Sequence, residues 1–139
     1  MENMGNMAFS YDHGCFGCGE RNPIGLKLKF HQEEEVMKSS FVPQKEHQGY
    51  PGLMHGGIIS TILDEIMSKS INAKGFIAVT ARLEVRFLQG VPIGKPLQIE
   101  GWITAQKGRL IDTQGRILLE DGQVAAEAQA RFMIKRGNG

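Results

Sequence analysis

The chain has 139 residues, 41% of them hydrophobic and 22% charged, with a formal net charge of +1. That is the size and balance of one globular domain with its own core, and too little for two. Lysines and arginines are scattered, with no basic block for a phosphate backbone and no acidic tail, so nucleic acid is excluded as the expected partner.

Residues 1–14 are polar and Met-rich and are expected to form a poorly ordered lead-in to a single domain over residues 15–139. No apolar core of signal-peptide length opens the chain, and no run approaches the roughly 18 apolar residues that span a bilayer. A cytoplasmic protein with no membrane partner is expected. CFGCGERNPIGL (15–26) is dense in Gly, Asn and Pro and reads as a loop. Its Cys15 and Cys18 are the only cysteines and stand too close in sequence to staple distant segments. His13 and His31 lie nearby, but a structural zinc site usually takes two ligand pairs, and no second CxxC or HxxxH exists. A redox CxxC belongs at a βαβ helix start, which this is not. The expectation is small apolar packing in a Gly-rich loop, with no metal.

Leu26 to Phe30 alternates apolar and polar residues, the pattern of a half-buried strand, and Val36 to Val42 is its partner after an acidic turn. Residues 43–54 have two prolines and no period, so they form a loop. From Ile58 the apolar positions 58, 59, 62, 63, 66, 67 and 71 fall on one arc at roughly 100° per residue, which predicts an amphipathic helix stopped by Gly75. Residues 77–87, 97–105, 110–119 and 124–134 read as strands separated by Gly-bearing turns, with Gly115 marking a bulge or tight bend. One helix among strands at hairpin spacing gives an α+β protein, most economically an antiparallel sheet wrapped round that helix.

The chemistry concentrates at the start of the helix. His55-Gly56-Gly57 presents unpaired N–H groups with little to shield them, at the positive end of the helix dipole. Asp64 follows two turns later on the edge of the apolar arc, where a mid-helix Asp needs a reason. Oxyanion donors and an acid that serves as base or nucleophile are the parts acyl transfer requires. Glu65 lies about 100° further round and suits a solvated surface charge, and it is kept among the substrate-binding candidates. Gly57 and Asp64 share a face but stand about 10.5 Å apart along the axis, too far to act on one carbonyl. A second, antiparallel copy of the helix closes that gap, which predicts a homodimer with two symmetric sites. The Thr80 hydroxyl is placed to hold a water or orient Asp64, and His47 and Gln48 are weaker candidates near the helix mouth.

The segments CFGCGERNPIGL, HQGYPGLMHGG, the LDE ending at Glu65, AVTARLEVRF and the QKGR turn together resemble the hotdog-fold acyl-CoA thioesterases, in the phenylacetate-pathway (PaaI-like) group. The likeness runs from about Cys15 to Ile134. It implies a central helix wrapped by an antiparallel sheet, in homodimers that often pair into tetramers. By the same resemblance Gly57 N–H polarises the thioester carbonyl, Asp64 of the partner subunit activates water or attacks directly, Thr80 assists, and His55, with Gly56, shapes the carbonyl site. Coenzyme A, part of the substrate rather than a cofactor, is expected near Arg82, Lys107, Gly108 and Arg109. The chain departs from its relatives at Gln89-Gly90, where a basic residue and proline are usual, and at Gly49, where a polar residue is; His47 or Gln48 are the substitutes on offer. The implied activity is metal-independent hydrolysis of an acyl-CoA, aryl or medium-chain aliphatic. The alternatives are a non-catalytic acyl-CoA-binding or regulatory protein and, more remotely, a hydratase.

Overall fold

The computed structural model describes residues 13–136. The expected lead-in therefore lies, apart from His13 and Gly14, outside the described residues. Strands β1 (His31–Glu33) and β2 (Val36–Phe41) precede a single-turn 3-10 helix (Lys45–His47) and helix α1 (Gly56–Asn72). Strands β3 (Ala78–Phe87), β4 (Leu97–Lys107), β5 (Leu110–Leu118) and β6 (Val124–Ile134) follow. All six strands join one antiparallel sheet in the order β1-β2-β4-β5-β6-β3, so β3 is an edge.

The period of α1 does what the sequence predicts. Ile62, Leu63, Ile66, Met67 and Ile71 are sealed from solvent against the sheet, each burial contributing about 1.5–3 kcal/mol. Asn72 is the last helical residue, and Gly75 follows with φ of 94°, left-handed backbone that ends the run. The sheet admits the helix closely because Gly101 of β4 and Gly115 of β5 are cross-strand partners beneath it. A Cβ on Gly101 would stand 3.0 Å from both Ile66 Cγ2 and the Ile66 carbonyl oxygen.

Two local expectations are corrected. Leu26 and Leu28 do point inward and are buried, but residues 26–30 make no strand. Lys27 adopts φ of 55°, and Leu26 and Leu28 give their N–H groups to the carbonyls of Phe16 and Gly17 in the cysteine loop. Gly115 sits in regular register; the irregularities fall between Thr80 and Arg82, Ile103 and Ala105, and Ile117 and Leu118. Close packing of the helix, rather than a bend, is the reason for glycine there.

The face of the sheet turned away from α1 is charged. Arg116 and Lys38 pair with Glu100, Arg86 with Glu127, and Arg131 with Asp112. Hydrogen bonds from the Arg131 guanidinium hold the Asp112 carboxyl below its ordinary range. No helix among the described residues is long and apolar enough to cross a membrane.

Candidate active site

Three features lie along helix α1 and the open β3 edge. The first is the start of α1. His55 takes the cap position in extended backbone, and its Nδ1 accepts the Gly57 N–H at 2.8 Å. That bond requires the ring to carry its proton on Nε2. The Ile58 and Ile59 N–H groups both reach the His55 carbonyl. Of the four orphan donors at this end, only the Gly56 N–H has no acceptor among the described residues.

The second is a cavity of about 660 Å³ at that same end. His55, Gly56, Gly49, Gln89 and Gly90 meet the apolar side chains of Tyr50, Leu53, Met54, Ile59, Phe87, Leu88 and Val91 there. Sequence reasoning missed the apolar wall. Its signal was present in Phe87-Leu88 at the end of an alternating strand and Tyr50 in the loop before the glycines, all three well exposed here.

The third is the acid. Asp64 projects from α1 towards β3, and Thr80 Oγ1 donates to Asp64 Oδ1 at 2.7 Å. The register break after Thr80 is informative. Thr80 pairs with the buried Phe132 and so faces the helix, whereas Arg82 pairs with the exposed Arg131 and faces away. The extra residue, Ala81, separates a hydroxyl aimed at Asp64 from a guanidinium on the opposite face.

The remaining sequence candidates scatter. His47 Nδ1 accepts the Gln44 N–H, and its ring lies 5.1 Å from that of Phe41. Gln48 accepts the Gly52 N–H. Both side chains are engaged in organising the loop, and neither lines the cavity. Arg82 stands by Glu84 at 3.8 Å on the outer face. Lys107 ends β4 and Gly108 and Arg109 form the β4–β5 turn, level with the Thr80 end of β3 by register, and the Arg109 side chain donates to the Ile134 carbonyl. Glu65 turns from the Asp64 side to Cys15, whose Sγ lies 3.7 Å from its Oε1.

The profile of the thioesterase superfamily matches residues 51–126, from the cavity loop through most of the sheet. The chain belongs to the thioesterase superfamily. A curated relative, the acyl-coenzyme A thioesterase THEM4 of Xenopus laevis, is 26% identical over 117 residues, 82% of this chain and 53% of that protein. The chain thus spans about half the length of this relative. Among solved structures, a thioesterase superfamily protein superposes with a TM-score of 0.81 at 26% identity, over 86% of this chain and 62% of that one. A Streptococcus mutans protein bound to acetyl CoA gives 0.74 at 21% identity, over 79% and 90%. The E. coli PaaI protein of the phenylacetic acid degradation operon gives 0.75 at 16% identity, over 81% and 82%. The fold is the hotdog fold of these thioesterases, as the resemblance implied.

Proposed function

We propose that this chain hydrolyses an acyl-CoA thioester to the free acid and coenzyme A. The observation that carries the reading is the hydrogen bond from Thr80 to Asp64, on the same helix whose start offers a free amide beside an apolar cavity. The THEM4 relative is named an acyl-coenzyme A thioesterase, and a structural neighbour holds acetyl CoA, which supports the substrate class.

The acyl chain occupies the cavity with its carbonyl at the helix mouth. Gly56 N–H polarises the oxygen, joined by Gly57 N–H once the His55 ring gives it up, and the helix dipole favours the developing charge. Thr80 engages Oδ1 of Asp64 and leaves Oδ2 for the reaction. As base, that oxygen takes a proton from water as the water attacks the carbonyl carbon; as nucleophile, it attacks the carbon itself to form an anhydride that water then opens. Either course expels the coenzyme A thiolate, and neither calls on a metal.

Asp64 does not line the cavity of its own chain. The open β3 edge supplies the remedy, since its helix-facing Leu83 and Phe87 are exposed on a strand paired on one side only. Antiparallel pairing of two β3 strands superposes the Thr80 end of one copy on the Phe87 end of the other. Gly56 packs at Phe87, where an added Cβ would lie 3.5 Å from the ring, so the partner's acid arrives at the helix mouth. The proposed assembly is a homodimer, or a dimer of dimers, with two shared sites. Coenzyme A phosphates are assigned to Lys107 and Arg109 at the β4–β5 turn.

Acyl-CoA binding without turnover is the second reading, favoured by the occupation of the Gly57 N–H by His55. Release of free thiol from a panel of aryl and aliphatic acyl-CoAs separates the two. Turnover of any member supports the hydrolase and ranks its substrates, whereas saturable binding with no thiol released supports the binding protein.

A further inference from the structure

Glu65 is a half-buried carboxylate that the proposed chemistry does not use. Far upstream in sequence, Cys15 and Cys18 flank Phe16 and Gly17 in the loop that folds over the same turn of α1. Cys15 Sγ stands 3.7 Å from Glu65 Oε1 and 3.9 Å from Oε2. The two sulfurs and a carboxylate oxygen all lie within 4.8 Å of one another. Neither cysteine is in a disulfide, and both, like the acid, are half-buried. No ion pair among the described residues includes Glu65.

The loop is built to hold this arrangement. Gly19 N–H bonds the Cys15 carbonyl at 2.8 Å, closing a tight turn that brings the two thiols to one side. Leu26 and Leu28 N–H groups fasten the carbonyls of Phe16 and Gly17, and Asn22 fastens that of Gly14. A Cβ on Gly17 would stand 2.5 Å from Glu65 Oε1, so the carboxylate enters only because residue 17 is glycine.

We propose that Cys15, Cys18 and Glu65 bind a zinc ion, with water as the fourth ligand. The donor set is right: two thiolates at CxxC spacing and a carboxylate suit a borderline-soft, tetrahedral cation. So is the spacing. Zinc bonds of about 2.3 Å to sulfur and 2.0 Å to oxygen, at a tetrahedral angle, put those two atoms about 3.5 Å apart, close to the 3.7 Å found between Cys15 and Glu65. Binding is simple ligand exchange without redox change: two thiols lose their protons to solvent, two Zn–S bonds and one Zn–O bond form, and zinc sheds water. The ion would pin the cysteine loop to α1 beside Asp64, with the zinc charge balanced by the two thiolates. The sequence argued against a metal because it offers one ligand pair; the third ligand comes from a helix that only the fold brings near.

Cobalt(II) is the probe, added to the reduced 139-residue chain under anaerobic conditions. One equivalent should give thiolate-to-cobalt charge-transfer absorption and tetrahedral visible bands, both abolished by zinc. Cys15→Ser and Cys18→Ser should each remove most of the charge-transfer band, and Glu65→Gln should weaken binding by more than about tenfold, the least that losing a group which merely supports a metal ligand costs. Absence of the band in reduced wild type overturns the proposal, as does an unchanged spectrum in either Cys variant. Should those variants fail to fold, X-ray absorption on zinc-loaded wild type decides: a first shell with two sulfurs is required, and one of nitrogen and oxygen alone contradicts it.

Discussion

Asp64 and Thr80 are sixteen residues apart and meet at 2.7 Å, so the hydroxyl fixes which carboxylate oxygen remains free. Thr80→Val should lower kcat about tenfold or more while leaving KM near wild type, because a hydrogen bond to a charged group is worth about 1.5–3 kcal/mol. Steady-state kinetics over a range of acyl-CoA concentrations gives that split. His55 plays a different part: its ring caps α1 through the Gly57 N–H. His55→Ala should cost about 1 kcal/mol of stability, the usual loss for a cap, measurable as a lower midpoint in urea. At this scale the sequence was readable for position, placing Asp64 and the glycines on one helix with Thr80 opposite the acid. It could not show that His55 occupies the Gly57 amide, since a ring torsion leaves no mark on spacing. Nor could it show that Glu65 turns to Cys15, a contact made by a loop fifty residues upstream.

Among the elements, α1 was the most legible because seven apolar positions repeat along one face and five of its residues are sealed completely. The segment before β1 misled for an instructive reason. Leu26 and Leu28 alternate inward as a strand's residues do, but their backbone partners belong to the cysteine loop, and periodicity reports side-chain direction rather than who receives the N–H. Gly115 misled likewise, since a glycine in a strand signals either a bend or a close neighbour. The neighbour is α1, over the Gly101–Gly115 pair. Gly101→Ala should therefore destabilise by about 1–3 kcal/mol, as an extra carbon in a filled core does. Urea unfolding tests this, and an unchanged midpoint would show that the helix can shift without cost.

For the molecule as a whole, the two faces of the sheet are divided between core and charge, and β3 is left with exposed apolar side chains on an unpaired edge. Such an edge invites pairing with a second chain. The chain should sediment at two or four times its monomer mass. Leu83→Glu on the helix-facing side of β3 should yield a folded monomer whose turnover falls at least about a hundredfold with Asp64 intact, as expected when the base is withdrawn from the site. A Leu83→Glu monomer with full activity would show that each chain completes its own site. The proposed dimer was suggested in the sequence by the axial distance between Gly57 and Asp64 and by the family resemblance. Which edge serves it needed the strand order, because nothing in the sequence of AVTARLEVRF says that this strand has one neighbour rather than two.

The central claim is that Asp64 carries the reaction. It is tested most directly by thiol release from the best acyl-CoA substrate, with wild type and Asp64→Asn run side by side and folding checked by circular dichroism. The account predicts that Asp64→Asn folds normally and loses at least about a hundredfold in kcat. A folded Asp64→Asn protein turning over at the wild-type rate would contradict it.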